Sequence, residues 1–251
     1  VADAARRWAP DLAALEIWNE PDQVNEAYWK GTNKVARYTA LLKAAYPAIK
    51  AAAPSVKVAG AAIVGANGNF LKALYAAGAR GSYDILSVHY YDLVLLSLGE
   101  IRKIRDAAGD KSPLWLAEYG WTSCLTKTTH NQGQHVCVDR KTQATDTLDA
   151  LRALNRQKDL AGATLFNLRD AAEDFGALDR SGRRKPLFTT LSKAFHGRLG
   201  PDRKIALRLR RAGGRIVASG GGPAGDAYVL EARRGGQVRY RAAFRQDRYN
   251  H

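Results

Sequence analysis

The sequence predicts an α/β fold of parallel strands alternating with helices, followed by a small antiparallel β appendage, and three observations predict it. Short apolar runs without strict alternation, such as Leu15-Glu16-Ile17-Trp18 and Ile85-Leu86-Ser87-Val88, read as strands buried on both faces. Segments with apolar residues at helical spacing separate those runs, as in βα units. Beyond Gly200 apolar residues alternate with arginines between glycine-rich turns, the pattern of strands with one solvated face. The expected division is therefore an α/β domain over 1–199 and a β-rich appendage over 200–251, the latter part of a β-sandwich.

The elements follow in order. Ala2 to Trp8 reads as the tail of a helix, and Leu15 to Glu20 as the first strand. Asn33 to Ala53 carries Val35, Tyr38, Leu41, Leu42, Ala45 and Ile49 at helical spacing, and Pro54 stops it. Val56 to Ala61 is the second strand, Phe70 to Ala77 a short helix closed by Gly78, and Asp84 to Tyr91 the third strand. A helix over Leu98 to Ala108 leads to the fourth strand, Leu114 to Gly120. A helix near Lys141 to Arg156, a fifth strand over Gly162 to Leu168 and a last helix over Pro186 to Phe195 complete the series. The appendage strands are Ile205 to Arg210, Arg215 to Ala218, Tyr228 to Ala232 and Val238 to Arg241.

With 46% hydrophobic residues the 251-residue chain can bury a substantial core. Its 39 Lys and Arg outnumber 24 Asp and Glu, giving a formal charge of +15. Such a balance speaks to solubility and non-specific attraction to polyanions and assigns no specific nucleic-acid partner. No apolar run approaches the roughly 18 to 20 residues of a membrane span. The chain opens on Val1 and lacks methionine, so processing or truncation is expected to have removed the natural start.

Cys124 and Cys137 flank a polar stretch just after the fourth strand. A loop-closing disulfide is the simplest reading; it would contribute about 3 kcal/mol in the chain-entropy model and imply an extracytoplasmic or secreted protein. His130 and His135 lie between the cysteines, so zinc is an alternative, but the spacing matches no common zinc pattern. Two free thiols are the third possibility.

Two strand-like runs each end in a glutamate, Glu20 and Glu118, at the C-terminal ends where barrels of parallel strands collect their chemistry. Trp121 and Tyr90 are candidate stacking platforms, although an aromatic beside a strand end is as often packing. Arg169, Asp170 and Glu173 could contact a polar substrate or hold their loop by ion pairing.

Glu16-Ile17-Trp18-Asn19-Glu20-Pro21 resembles the acid/base motif of glycoside hydrolase clan A, and Trp115-Leu116-Ala117-Glu118-Tyr119-Gly120 its nucleophile motif. The similarity runs from about Trp8 to about Phe195 and is nearest to the family 39 and family 5, cellulase-like, enzymes. The resemblance implies a partial (β/α)8 TIM barrel. Counted by the clan's order the strands present are four through eight, roughly five-eighths of a barrel, with strands one to three absent from the sequence. It implies retaining hydrolysis of a β-linked oligo- or polysaccharide without cofactor or metal, with Glu20 as acid/base and Glu118 as nucleophile. Asn19 would hold the sugar 2-hydroxyl. His89 and Tyr91 form the clan's His-x-Tyr pattern, the tyrosine donating to the nucleophile and the histidine lining the sugar site. The eighth strand usually presents a tryptophan, and here Phe166 or Asn167 stands in its place. Competing readings are a non-catalytic carbohydrate-binding remnant of such a barrel and a polyanion-binding protein acting through the basic appendage.

Overall fold

The computed structural model describes residues 1–23, 28–64, 67–91, 94–123, 131–132, 135–197, 200, 206–212, 215–221, 227–234 and 237–245. The chain divides into two compact units. One comprises Val1–Tyr91, Ser97–Tyr119 and Gln157–Leu165, and the other Asp92–Leu96, Gly120–Arg156 and Phe166–His251.

The first unit is a parallel sheet curled as half a barrel. Its strands are β1 (Ala14–Glu16), β2 (Lys57–Val64), β3 (Ile85–His89), β4 (Leu114–Tyr119) and, following β5 and β6 of the other unit, β7 (Leu160–Leu165). They lie in the order β1-β2-β3-β4-β7. α1 (Ala2–Trp8) precedes β1, and α2 (Lys34–Ala52), α3 (Gly68–Ala76) and α4 (Val94–Ala107), whose first three residues fall in the other unit, follow β1, β2 and β3. Every residue of β3 is buried, as is Val58–Ile63 of β2, which explains the unbroken apolar runs in the sequence. Gly78 closes α3 as expected, while its start lies two residues before Phe70. Asn67 caps α3 by accepting from the Phe70 N–H at 3.2 Å, and Gly78 takes the left-handed conformation just past its end at φ 78°. Gly60 is required by packing, because a Cβ there would lie 2.9 Å from the Tyr83 ring.

Two strand ends differ from expectation. β1 stops at Glu16, not at Glu20, and Trp18 (φ 70°) and Glu20 (φ 44°) beyond it adopt left-handed backbone that turns the chain out of the extended run. The fifth parallel strand, β7, stops at Leu165, so Phe166 and Asn167 lie beyond it.

In the second unit α5 (Arg140–Asn155) packs on α6 (Pro186–Phe195). Asp139 caps α5 by accepting from the N–H groups of Lys141 and Thr142 at 2.9 and 3.0 Å. The loop before α6 is organised around a buried ion pair, Lys185 Nζ to Asp170 Oδ1 at 2.9 Å, so Asp170 does hold its loop by ion pairing. The Gly176 N–H donates to the same Asp170 oxygen at 2.7 Å. β5 (Asn131–Gln132) pairs antiparallel with β6 (His135–Val136). β8 (Ala206–Ala212) pairs antiparallel with β9 (Arg215–Gly221), and β10 (Ala227–Arg234) with β11 (Gln237–Arg245). Ile205 lies outside the described residues. No described helix is long and apolar enough to cross a membrane.

Candidate active site

The site forms where the C-terminal ends of β1, β3 and β4 meet. Pleating sends alternate residues of β3 to opposite faces, so Ser87 and His89 share one face while Leu86 and Val88 point into the core. Pairing between β3 and β4 skips a residue: Val88 stands opposite Leu116, but His89 stands opposite Glu118. The extra residue on β4, Ala117, is a bulge that turns Glu118 to the side of His89. A regular ladder would have put Ala117 there.

Glu20 arrives by a different route, four residues past the end of β1. Its turn is pinned at several points. The Ile17 N–H donates to the Ala59 carbonyl at 2.9 Å, the Tyr38 hydroxyl donates to the Ile17 carbonyl at 2.7 Å, and the Val64 N–H donates to Asp22 at 3.1 Å. These bonds hold the left-handed residues that point Glu20 back at the sheet.

His89, fully buried, is the hub. Its Nδ1 is 3.1 Å from Glu20 Oε1 and 3.7 Å from Glu118 Oε1, and its Nε2 is 3.3 Å from Glu16 Oε1. One oxygen of Glu20 and one of Glu118 lie within 4.8 Å of each other. The Tyr91 hydroxyl donates to Glu118 Oε2 at 2.5 Å, and Gln23 donates to Glu20 Oε2. The Glu20 side chain is 8% exposed, whereas the Glu118 side chain is 24% exposed. The arrangement places a shielded carboxyl and a more open one on either side of one point, tied by a shared cation.

Burial alone would lower the pKa of His89. Hydrogen bonds to Glu16 and Glu20, with the charges of Glu16 and Glu118, outweigh it and push the value up to about 10. The imidazole is thus an imidazolium at neutral pH. Burial lifts the nearby Asp22 carboxyl to about 6, against the opposing Val64 N–H bond.

The structure therefore brings together Glu20, Glu118, His89 and Tyr91. Asn19 is half-buried beside Glu20 and makes no side-chain hydrogen bond among the described residues. Trp121, Phe166 and Asn167 belong to the second unit. There Trp121 is 5% exposed, Phe166 packs edge-on against Phe175 at 5.7 Å, and Asn167 has a buried Oδ1 without a partner among the described residues. Cys137 is buried and not free, while Cys124 lies outside the described residues, as does His130. Sequence reasoning assigned no role to Glu16, Ser87 or Gln23. The available signal was Glu16 itself, a carboxylate inside a strand otherwise fit for burial.

A family profile described as glycosyl hydrolase catalytic core matches residues 3–179. Among solved structures, a glucosidase from Croceicoccus marinus superposes with a TM-score of 0.64 at 17% identity, covering 91% of this chain and 49% of that one. A family 39 glycoside hydrolase from the gut symbiont Bacteroides cellulosilyticus gives 0.57 at 17% identity, with 98% and 50% coverage. A monomeric beta-xylosidase from Caulobacter crescentus gives 0.55 at 16% identity, with 93% and 49% coverage. At such identities the likeness is one of fold. The chain spans about half the length of these structures, and no curated protein matches it. On the strength of the profile match across most of its length, the chain belongs to the glycosyl hydrolase catalytic core family.

Proposed function

We propose that the chain carries the catalytic pair of a retaining glycosidase that cleaves a β-linked oligo- or polysaccharide by double displacement, without a cofactor. The observation that carries this reading is the approach of Glu20 and Glu118 to within 4.8 Å. Retaining enzymes hold their carboxyls about 5 Å apart, and inverting ones leave a wider gap for water. Glu118, the more exposed carboxylate, attacks the anomeric carbon. Glu20, shielded beside it, gives a proton to the departing oxygen and then takes one from the incoming water. Tyr91 holds the Glu118 oxygen that is not attacking. Asn19 meets the sugar 2-hydroxyl, and Trp121, Phe166 and Asn167 are offered as further substrate contacts.

We also propose that Cys137 pairs with Cys124, that the protein works outside the cytoplasm, and that residues 200–251 form a separate β-rich domain of the sandwich kind. The support for the first is the buried, engaged state of Cys137. A second reading is a carbohydrate-binding remnant without turnover.

The test is hydrolysis of a panel of aryl β-glycosides, with intact-mass analysis after exposure to 2-deoxy-2-fluoro glycosides. Turnover by the chain, a fall of about 10²- to 10⁴-fold in Glu20→Gln, and a glycosyl adduct on Glu118 are expected. Binding of oligosaccharides with no turnover and no adduct would establish the remnant instead.

A further inference from the structure

Glu16 takes no part in the proposed bond-breaking, yet its carboxylate is heavily engaged. Oε1 accepts from the Ser87 hydroxyl, and both oxygens face His89 Nε2, at 3.3 and 3.4 Å. The Glu16 side chain keeps 29% of its surface exposed, so its orientation is set by the partner its oxygens reach. His89 is that partner. A neutral imidazole has one donor and one acceptor, so it can serve a single carboxylate. With Glu16 at Nε2 and both Glu20 and Glu118 toward Nδ1, the doubly protonated ring can donate on both sides when these groups are ionised.

We infer that Glu16 is a positioning residue that grips the His89 ring from behind and, through it, fixes the Glu20 and Glu118 carboxylates relative to each other; its catalytic consequence rests on the roles proposed for those two. The groups facing the ring are Glu16 from β1, Glu20 from the turn after it, Ser87 from β3 by way of Glu16, and Glu118 from β4 with Tyr91 on its far oxygen. The charge of Glu20 in turn reaches the Asp22 carboxyl. Without Glu16 the ring loses both its orienting acceptor and the charge that stabilises its second proton. It can then turn, and the two carboxylates lose their common anchor.

The test uses two readouts on the chain as it stands. In NMR of the ¹⁵N-labelled histidines, the His89 resonance is assigned by its loss in His89→Asn. It should keep its imidazolium signature to about pH 10 in the wild type, titrate more than one unit lower in Glu16→Gln, and move less in Ser87→Ala, which keeps the carboxylate. In the aryl glycoside assay, Glu16→Gln should lower kcat on the order of ten- to a hundredfold with KM within about twofold. Glu16→Asp should recover part of both kcat and the His89 titration. An unchanged His89 titration in folded Glu16→Gln overturns the inference whatever the activity, as does unchanged kcat in an active protein. A shifted titration in a chain whose wild type is inactive supports the grip and counts against the hydrolase reading instead.

Discussion

His89 makes three carboxylates compatible in one small volume, and the arrangement gives its titration a definite sign. The folded-state pKa of about 10 lies above the unfolded value of about 6.5, so folding is favoured by proton uptake. The stabilisation is complete below about pH 6.5 and is lost as pH rises through about 10. Urea unfolding of wild type and His89→Gln from pH 6 to 10 should give a difference that shrinks with rising pH, and a flat difference would refute the assignment. At this scale much was legible. Glu20, Glu118, His89 and Tyr91 were named from motif and spacing, because the chemistry fixes residue type and strand order. Glu16 escaped assignment because its partner lies 73 positions away, and only the register of three strands brings the two together.

Among the elements, helices were read more accurately than strand ends. Helix boundaries are written locally, in Asn67, Gly78 and Asp139, which act through bonds spanning two to four residues. The end of β1 depends on left-handed residues whose strain is offset by Tyr38, Ala59 and Val64, all distant in sequence. The bulge at Ala117 is likewise a property of two strands at once, invisible in either alone. The loop before α6 offers a separate test, since Lys185 and Asp170 are both buried and paired. Lys185→Met alone strands a buried carboxylate and should cost about 3–5 kcal/mol in urea unfolding. Adding Asp170→Leu should restore part of that loss, although the Gly176 N–H then loses its acceptor.

Over the whole molecule, the parallel arrangement followed from alternating runs of apolar strand and amphipathic helix, and the order β1-β2-β3-β4-β7 is that of successive βα units. The division into two compact units was not legible, because each unit is assembled from three separate stretches of the chain. The formal charge of +15 makes a further prediction. Retention on a heparin column should fall steeply with salt and survive both Glu20→Gln and Glu118→Gln, whereas a loss of retention in either variant would tie the attraction to the site. The sheet adds a second response to salt. Among the described strands β1 pairs with β2 alone and β7 with β4 alone, so each outer margin has main-chain donors and acceptors that no strand answers. In dilute buffer the like charge of neighbouring molecules keeps those margins apart; at 0.1 M salt its reach contracts to about 10 Å. Light scattering from the purified chain should therefore rise over the same range of ionic strength that releases it from heparin, making concentrated brine a poor storage medium for this chain.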